Sequence, residues 1–163
     1  MAKFVLDTVE AEGLIARNLV RRRAANAIGV NLTATLKANI DARIDAQLKA
    51  KAIIDVDFDA LATKKQSSIV LARTPVKSDA LSKRAPADIP FIEVVAAVSH
   101  VVELGHSVEM AEVEDQVVRR VFGFDRVTAQ WKDLIELAIG DLLNDQWCTV
   151  IDGRVTKGIN FPS

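Results

Sequence analysis

Tyrosine is absent from this chain of 163 residues, and six Phe and two Trp are its only aromatics. Half the residues are hydrophobic, so the core they build must be mostly aliphatic. The single cysteine, Cys148, excludes an internal disulfide and reads as a buried thiol in a reducing compartment. No apolar run approaches the ~20 residues that a membrane helix needs. The N-terminal stretch MAKFVLDTVE sets acids inside its apolar positions and has no small-residue cleavage pattern, so no secretory signal is expected. These absences together predict a cytoplasmic protein with no membrane partner.

Catalytic signatures are missing too. There is no glycine-rich phosphate loop, no G-x-S-x-G elbow and no H-E-x-x-H pair, so no catalytic residue and no cofactor is expected. His100, Glu103, His106 and Glu109 recur every three residues. Without a cysteine or a third histidine they fall short of a zinc-type ligand set, and no metal site is expected.

What is present is written twice. LTATLKANIDARIDAQL (32–48) aligns with VTAQWKDLIELAIGDLL (127–143), and six of the seventeen positions are identical. They are Thr33/Thr128, Ala34/Ala129, Lys37/Lys132, Ile40/Ile135, Ile44/Ile139 and Leu48/Leu143. Upstream, AANAIGV lines up with RRVFGFD through Gly29 and Gly123. Internal duplication of this kind predicts two units of one fold, at 1–73 and 91–163. The proline-bearing stretch TPVKSDALSKRAPADIP, 74–90, reads as the linker between them.

Within each unit the periodicity predicts helices over 4–12 and 15–28, and over 91–104 and 108–122. Gly29 and Gly123 suit a left-handed helix end, and Gly105 the end of the first helix of unit two. Thr33 and Thr128 open the longest helix as N-caps, with Leu36, Ile40, Ile44 and Leu48, or Trp131, Ile135, Ile139 and Leu143, as its apolar stripe. A period of two then follows. TVIDGRVTK (149–157) predicts a hairpin around Asp152-Gly153. In unit one, strands are expected at 53–57 and 67–72 with a loop between. The fold class predicted is mainly α with small β-hairpins (α+β), as tandem winged helix-turn-helix units.

On these residues a family resemblance can be stated. The RR-x-FGF-x-R stretch from Arg119 to Arg126, followed by I-x-x-A-I from Ile135 to Ile139, resembles the winged-helix domain near the C-terminus of bacterial superfamily-1 helicase–endonuclease proteins. The resemblance covers about 65 residues of unit two; unit one is a divergent copy. It implies association with nucleic-acid-processing enzymes, a helicase or nuclease component being the implied protein partner.

Charge separates the halves although the net charge is −1. Residues 1–87 carry 15 Lys and Arg against 9 acids, and 88–163 carry 6 against 13. Arg17, Arg21, Arg22 and Arg23 on the second helix, Lys37 on the third, and Lys64 and Lys65 in the expected wing loop are the candidates for phosphate contacts to DNA without base readout. Replacing Arg21, Arg22 and Arg23 should then weaken binding without unfolding an exposed helix. The third helices present no row of side chains that reads base edges. In unit two that face shows Gln130, Asp133 and Leu137, which suits a protein partner better than a nucleic acid. Two functions follow. One is a non-catalytic module holding nucleic acid through its basic unit, as an accessory to a processing enzyme. The alternative is a protein-interaction or dimerisation module, with another protein or a second copy of the chain as partner and no nucleic acid.

Overall fold

The structure is a computed structural model and describes residues 2–56, 60–62 and 85–161. Its described residues are mainly helical, with six α-helices and two three-stranded antiparallel sheets, an α+β arrangement. They divide into two compact units. Residues 2–56, 60–62 and 87–90 belong to the first, and 85–86 and 91–161 to the second.

The first unit runs α1 (Ala2–Glu12), β1 (Ile15–Ala16), α2 (Arg17–Ala27), α3 (Ala34–Lys49), β2 (Ile54–Asp55) and β3 (Ala60–Ala62). Its core is aliphatic, as the composition demands. Val5 and Val9 of α1, Leu19 and Val20 of α2, and Ile40 and Ile44 of α3 pack together with Ile53 and Leu61. A glycine ends α2 for a stated reason. Gly29 takes φ +69°, its N–H donates to Asn26 and that of Val30 to Ala25, closing the Schellman pair that satisfies the last carbonyls. Thr33 then caps α3, its hydroxyl accepting from Leu36 N–H at 3.2 Å.

Two expectations for this unit change. The helix expected from residue 15 starts at Arg17, because Ile15–Ala16 pair with Leu61 and Ala60 as a strand. The return strand expected at 67–72 falls outside the described residues. Instead Ala60–Ala62, placed in a loop by the sequence, is the central strand of the order β1-β3-β2 and is wholly buried. A strand covered on both faces and only three residues long shows no alternation, and alanine has little strand preference, so periodicity misses it.

The second unit follows a 3₁₀ turn at Pro86–Asp88. It runs α4 (Phe91–Gly105), β4 (Ser107–Glu109), α5 (Met110–Asp115), a π-helical turn (Gln116–Val121), α6 (Ala129–Asn144), β5 (Cys148–Ile151) and β6 (Arg154–Lys157). Strand order is β4-β6-β5, so the first strand again pairs with the third. The helix expected from 108 again yields its first residues to a strand. The π turn, with Phe122 N–H donating to Val117 five residues back, puts the neighbours Val117 and Val118 and then Phe122 all into the core. Asp152 at φ +50° and Gly153 at φ +74° make the two-residue primed turn that the sequence announced.

The aromatic cluster explains the FGF stretch. Trp131, fully buried, stacks on Phe122 at 5.2 Å between ring centroids and meets Phe124 at 5.2 Å in a tilted contact. Gly123 at φ +75° lets the chain turn between the two rings. Thr128 caps α6 by accepting from Trp131 N–H at 3.4 Å.

One register needs correction. Leu143, expected on the buried stripe of α6, is 38% exposed, whereas Leu142 is 2% exposed. At about 100° per residue, a step of eleven from Trp131 returns to the same face and a step of twelve overshoots it. Leu142→Ala should therefore lower the stability of this unit by about 2–5 kcal/mol, and Leu143→Ala by less than about 1 kcal/mol, read from urea unfolding.

Candidate functional site

The basic run of α2 lies inside the first unit's own ion-pair network. Arg17 donates through Nη1 to Asp45 Oδ1 at 3.2 Å and through Nη2 to Asp55 Oδ1 at 2.8 Å. Arg21 Nε meets Asp41 Oδ1 at 2.7 Å, Arg22 Nη2 meets Asp88 Oδ2, and Arg23 Nη2 meets Glu12 Oε1 at 2.6 Å. From one helix the arginines reach α3, β2, the segment before α4, and α1. Each of these four guanidiniums is thus partly neutralised by a carboxylate, which lowers the charge it offers a phosphate. The side chains of Arg17 and Arg21 are only 13% and 12% exposed.

Charge accounts for this arrangement. A carboxylate that is 2% exposed, as Asp88 is, loses its hydration, and the Arg22 guanidinium restores partners to it. The expectation that alanine at Arg21, Arg22 and Arg23 leaves the fold untouched is thereby revised. Those side chains join three segments of the unit.

The remaining predicted phosphate contacts separate. Lys37 is exposed on α3 without an ion-pair partner among the described residues. Lys64 and Lys65 lie outside the described residues. The outward row of α3 is Ala38, Ala42 and Ala46, all exposed and too short to reach into a groove. Charge counting missed three more exposed cations, Arg43, Lys49 and Lys51. Arg43 and Lys49 sit on α3 and Lys51 in the turn after it.

On α6 the three residues expected to meet a protein are all exposed. Gln130, Asp133 and Leu137 lie three and four apart on one face, opposite buried Trp131, Ile135 and Ile139. Leu137 is 62% exposed, with Asp133 and Asp141 one turn either side of it. Gly140 lies on the same face, and a Cβ there would meet nothing within 4 Å, so the surface beside Leu137 is open. Sequence reasoning missed further apolar exposures, Leu104 at 66% and Ile159 at 86% among them. Ile28 and Val30 are 52% and 48% exposed at the turn after α2, and Val150 and Ile151 are 42% and 59% exposed on β5.

Cys148 is 1% exposed, its thiol set 3.9 Å from the Ile139 carbonyl oxygen, and burial pushes it up from 9.0 to about 11. It stays protonated at neutral pH and is no nucleophile there. Trp131 is also fully buried, and its indole N–H has no hydrogen-bond partner among the described residues. Among the described residues, no three His, Cys, Asp or Glu gather as a metal ligand set, and no helix is long and apolar enough to cross a membrane.

The fold and this surface define an α+β protein of two small helix-and-sheet units, one cross-linked by arginine and one carrying an acidic face with an exposed leucine. No protein-family model matches the chain, and no curated protein does. Among solved structures, a chain of the Nse1-Nse3-Nse4 complex aligns with 98% of this chain and 68% of its own length, at a TM-score of 0.33 and 10% identity.

Two outcomes are expected. Arg22→Ala removes a guanidinium from the buried Asp88 carboxylate and should cost about 1–3 kcal/mol in thermal or urea unfolding, less than for a fully buried pair because Arg22 is itself 40% exposed and Asp88 keeps a further partner. Cys148 makes stability fall as pH rises from about 9 to about 11. The unfolded thiol ionises near 9.0 while the folded one keeps its proton to about 11, so the folded state holds the extra proton in that window. Below it the contribution is fully present. Cys148→Ala should flatten that slope relative to the parent, which separates it from the titration of lysines.

Proposed function

We propose that the chain is a non-catalytic protein-interaction module built of two winged helix-turn-helix units in tandem. Helix, strand, helix, helix and two strands, with the first strand beside the third, is the order in both units and supports that reading. One observation carries the function. The outward faces of the third helices offer no row of arginines: α3 presents alanines and an Asp45 held by Arg17, with Lys37 and Arg43 only at its flanks, and α6 presents Leu137 among acids. An apolar side chain 62% exposed in an acidic surround suits a partner that is apolar at its centre and basic at its rim. The resemblance of unit two to a domain of helicase–endonuclease proteins makes a component of a nucleic-acid-processing enzyme the partner class to test first.

A second reading rests on Lys37, Arg43, Lys49 and Lys51, exposed and without ion-pair partners among the described residues. They favour weak, sequence-independent phosphate contact by unit one alone.

Binding of the full chain to a ~25-base-pair duplex at about 50 and 200 mM salt separates the two. The interaction reading expects no micromolar complex at the lower salt. A complex that forms there and collapses as salt rises overturns it in favour of phosphate tracking. In parallel, a photo-crosslinking residue at position 137 should give discrete protein adducts that Asp133→Lys abolishes.

A further inference from the structure

We propose that the free edge of β5 binds an extended, basic segment of a partner protein by strand addition. It is a second site, separate from the Leu137 face. β5 is an outer strand of the order β4-β6-β5. The Asp152-Gly153 turn closes on the pair Ile151↔Arg154, which makes that pair and Thr149↔Thr156 the hydrogen-bonded ones. Val150, between them, aims its N–H and C=O away from β6, and no described residue meets them.

Side chains reinforce the opening. Val150 and Ile151 point to opposite faces of the strand, yet they are 42% and 59% exposed, and Thr149 is exposed too. Although β5 is only four residues long, it reads Cys-Thr-Val-Ile, and among the described residues no lysine, proline or bulge blunts its edge. An added strand would complete the backbone pairing at Val150 and cover one apolar side chain on each face.

Charge selects the occupant. Asp145 and Asp152, both exposed, bracket the strand; β5 itself has no Lys or Arg, and of the two cations opposite its ends on β6, Arg154 is paired with Glu109 while Lys157 lies across from Cys148. Residues 91–161 carry 12 acids against 6 Lys and Arg. An incoming strand with β-branched residues at its centre and Lys or Arg at both ends meets that field favourably, whereas a second copy of this unit brings the same negative charge to it.

The test uses the full chain, isotopically labelled for NMR, with the capped peptide Lys-Arg-Thr-Val-Thr-Val-Arg-Lys at up to about 1 mM, the affinity range of a short, weak edge contact. Saturable shifts centred on Thr149–Ile151 are expected, with exchange of the Val150 amide slowed by a factor of one plus the ratio of free peptide to Kd, about twofold at half-saturation. Thr149→Lys with Ile151→Lys should remove them while amides elsewhere stay in place. Val150→Pro, which deletes the outward N–H on an edge that tolerates it, should do the same. The charge-reversed peptide, with Glu at each Lys and Arg, should bind at least about tenfold more weakly. Shifts confined to α6 overturn the β5 site while leaving the Leu137 surface standing. No shifts anywhere overturn the β5 site too. A Val150 amide already protected without peptide, more so at higher protein concentration, overturns it in favour of a second copy.

Discussion

Everything in each unit is arranged around the burial of one stripe of its third helix. Ile40 and Ile44 of α3, and Trp131, Ile135 and Ile139 of α6, are removed from water by the two preceding helices and the sheet. With a unit of about 70 residues there is too little interior for a second such contact, so the stripe sets which way the helix faces. The outward side is fixed as a consequence. It is a row of alanines on α3, and Gln130, Asp133 and Leu137 on α6. What the protein can touch follows from what it must hide.

The turn before that helix is solved in two ways. In unit two the FGF stretch closes over Trp131 with two aromatic contacts, and Phe122 disappears from the surface. In unit one the equivalent residues are Ile28, Gly29 and Val30, and there is no aromatic for them to clasp. They keep the same glycine geometry but remain about half exposed. Unit one instead ties its helices through arginine, with Arg17 and Arg21 of α2 gripping Asp45 and Asp41 of α3. A guanidinium with two carboxylates fixes orientation through directed bonds where rings would fix it by shape. The divergence between copies is thus a change in the means of closing the same three-helix arrangement.

How much of this the sequence discloses depends on the range of the interaction. Caps, glycine turns and the Asp152-Gly153 hairpin are local, and Thr33, Thr128, Gly29 and Gly153 can be read off directly. Strands of two or three residues are too short for a period, so β1, β3 and β4 are visible only once their partners are known. The arginines show the limit more clearly. Arg21 through Arg23 look like a cationic patch in one dimension, because Asp41, Glu12 and Asp88 lie 20, 11 and 66 residues from the arginines they meet. Leu137 was legible as an exposed residue because a strong helical stripe defines its opposite side. The open edge of β5 was not, since it depends on strand order, and that rests on the unseen β4.

Strand order also decides what an exposed apolar residue signifies. On α6, whose backbone is satisfied within the helix, Leu137 offers only its side chain to a partner. On β5, Val150 offers a side chain together with a backbone donor and acceptor that no described residue meets. The first kind of surface discriminates partners by shape and by the charges around it, and tolerates many sequences presented on a helix or a loop. The second demands an extended chain, because only a strand can match the spacing of the outward groups. On the two proposed readings together, the unit's two sites recognise a folded surface and a flexible segment of one partner. The acidic charge they share then acts on both contacts in the same sense, favouring basic partners and disfavouring a second copy of the unit itself.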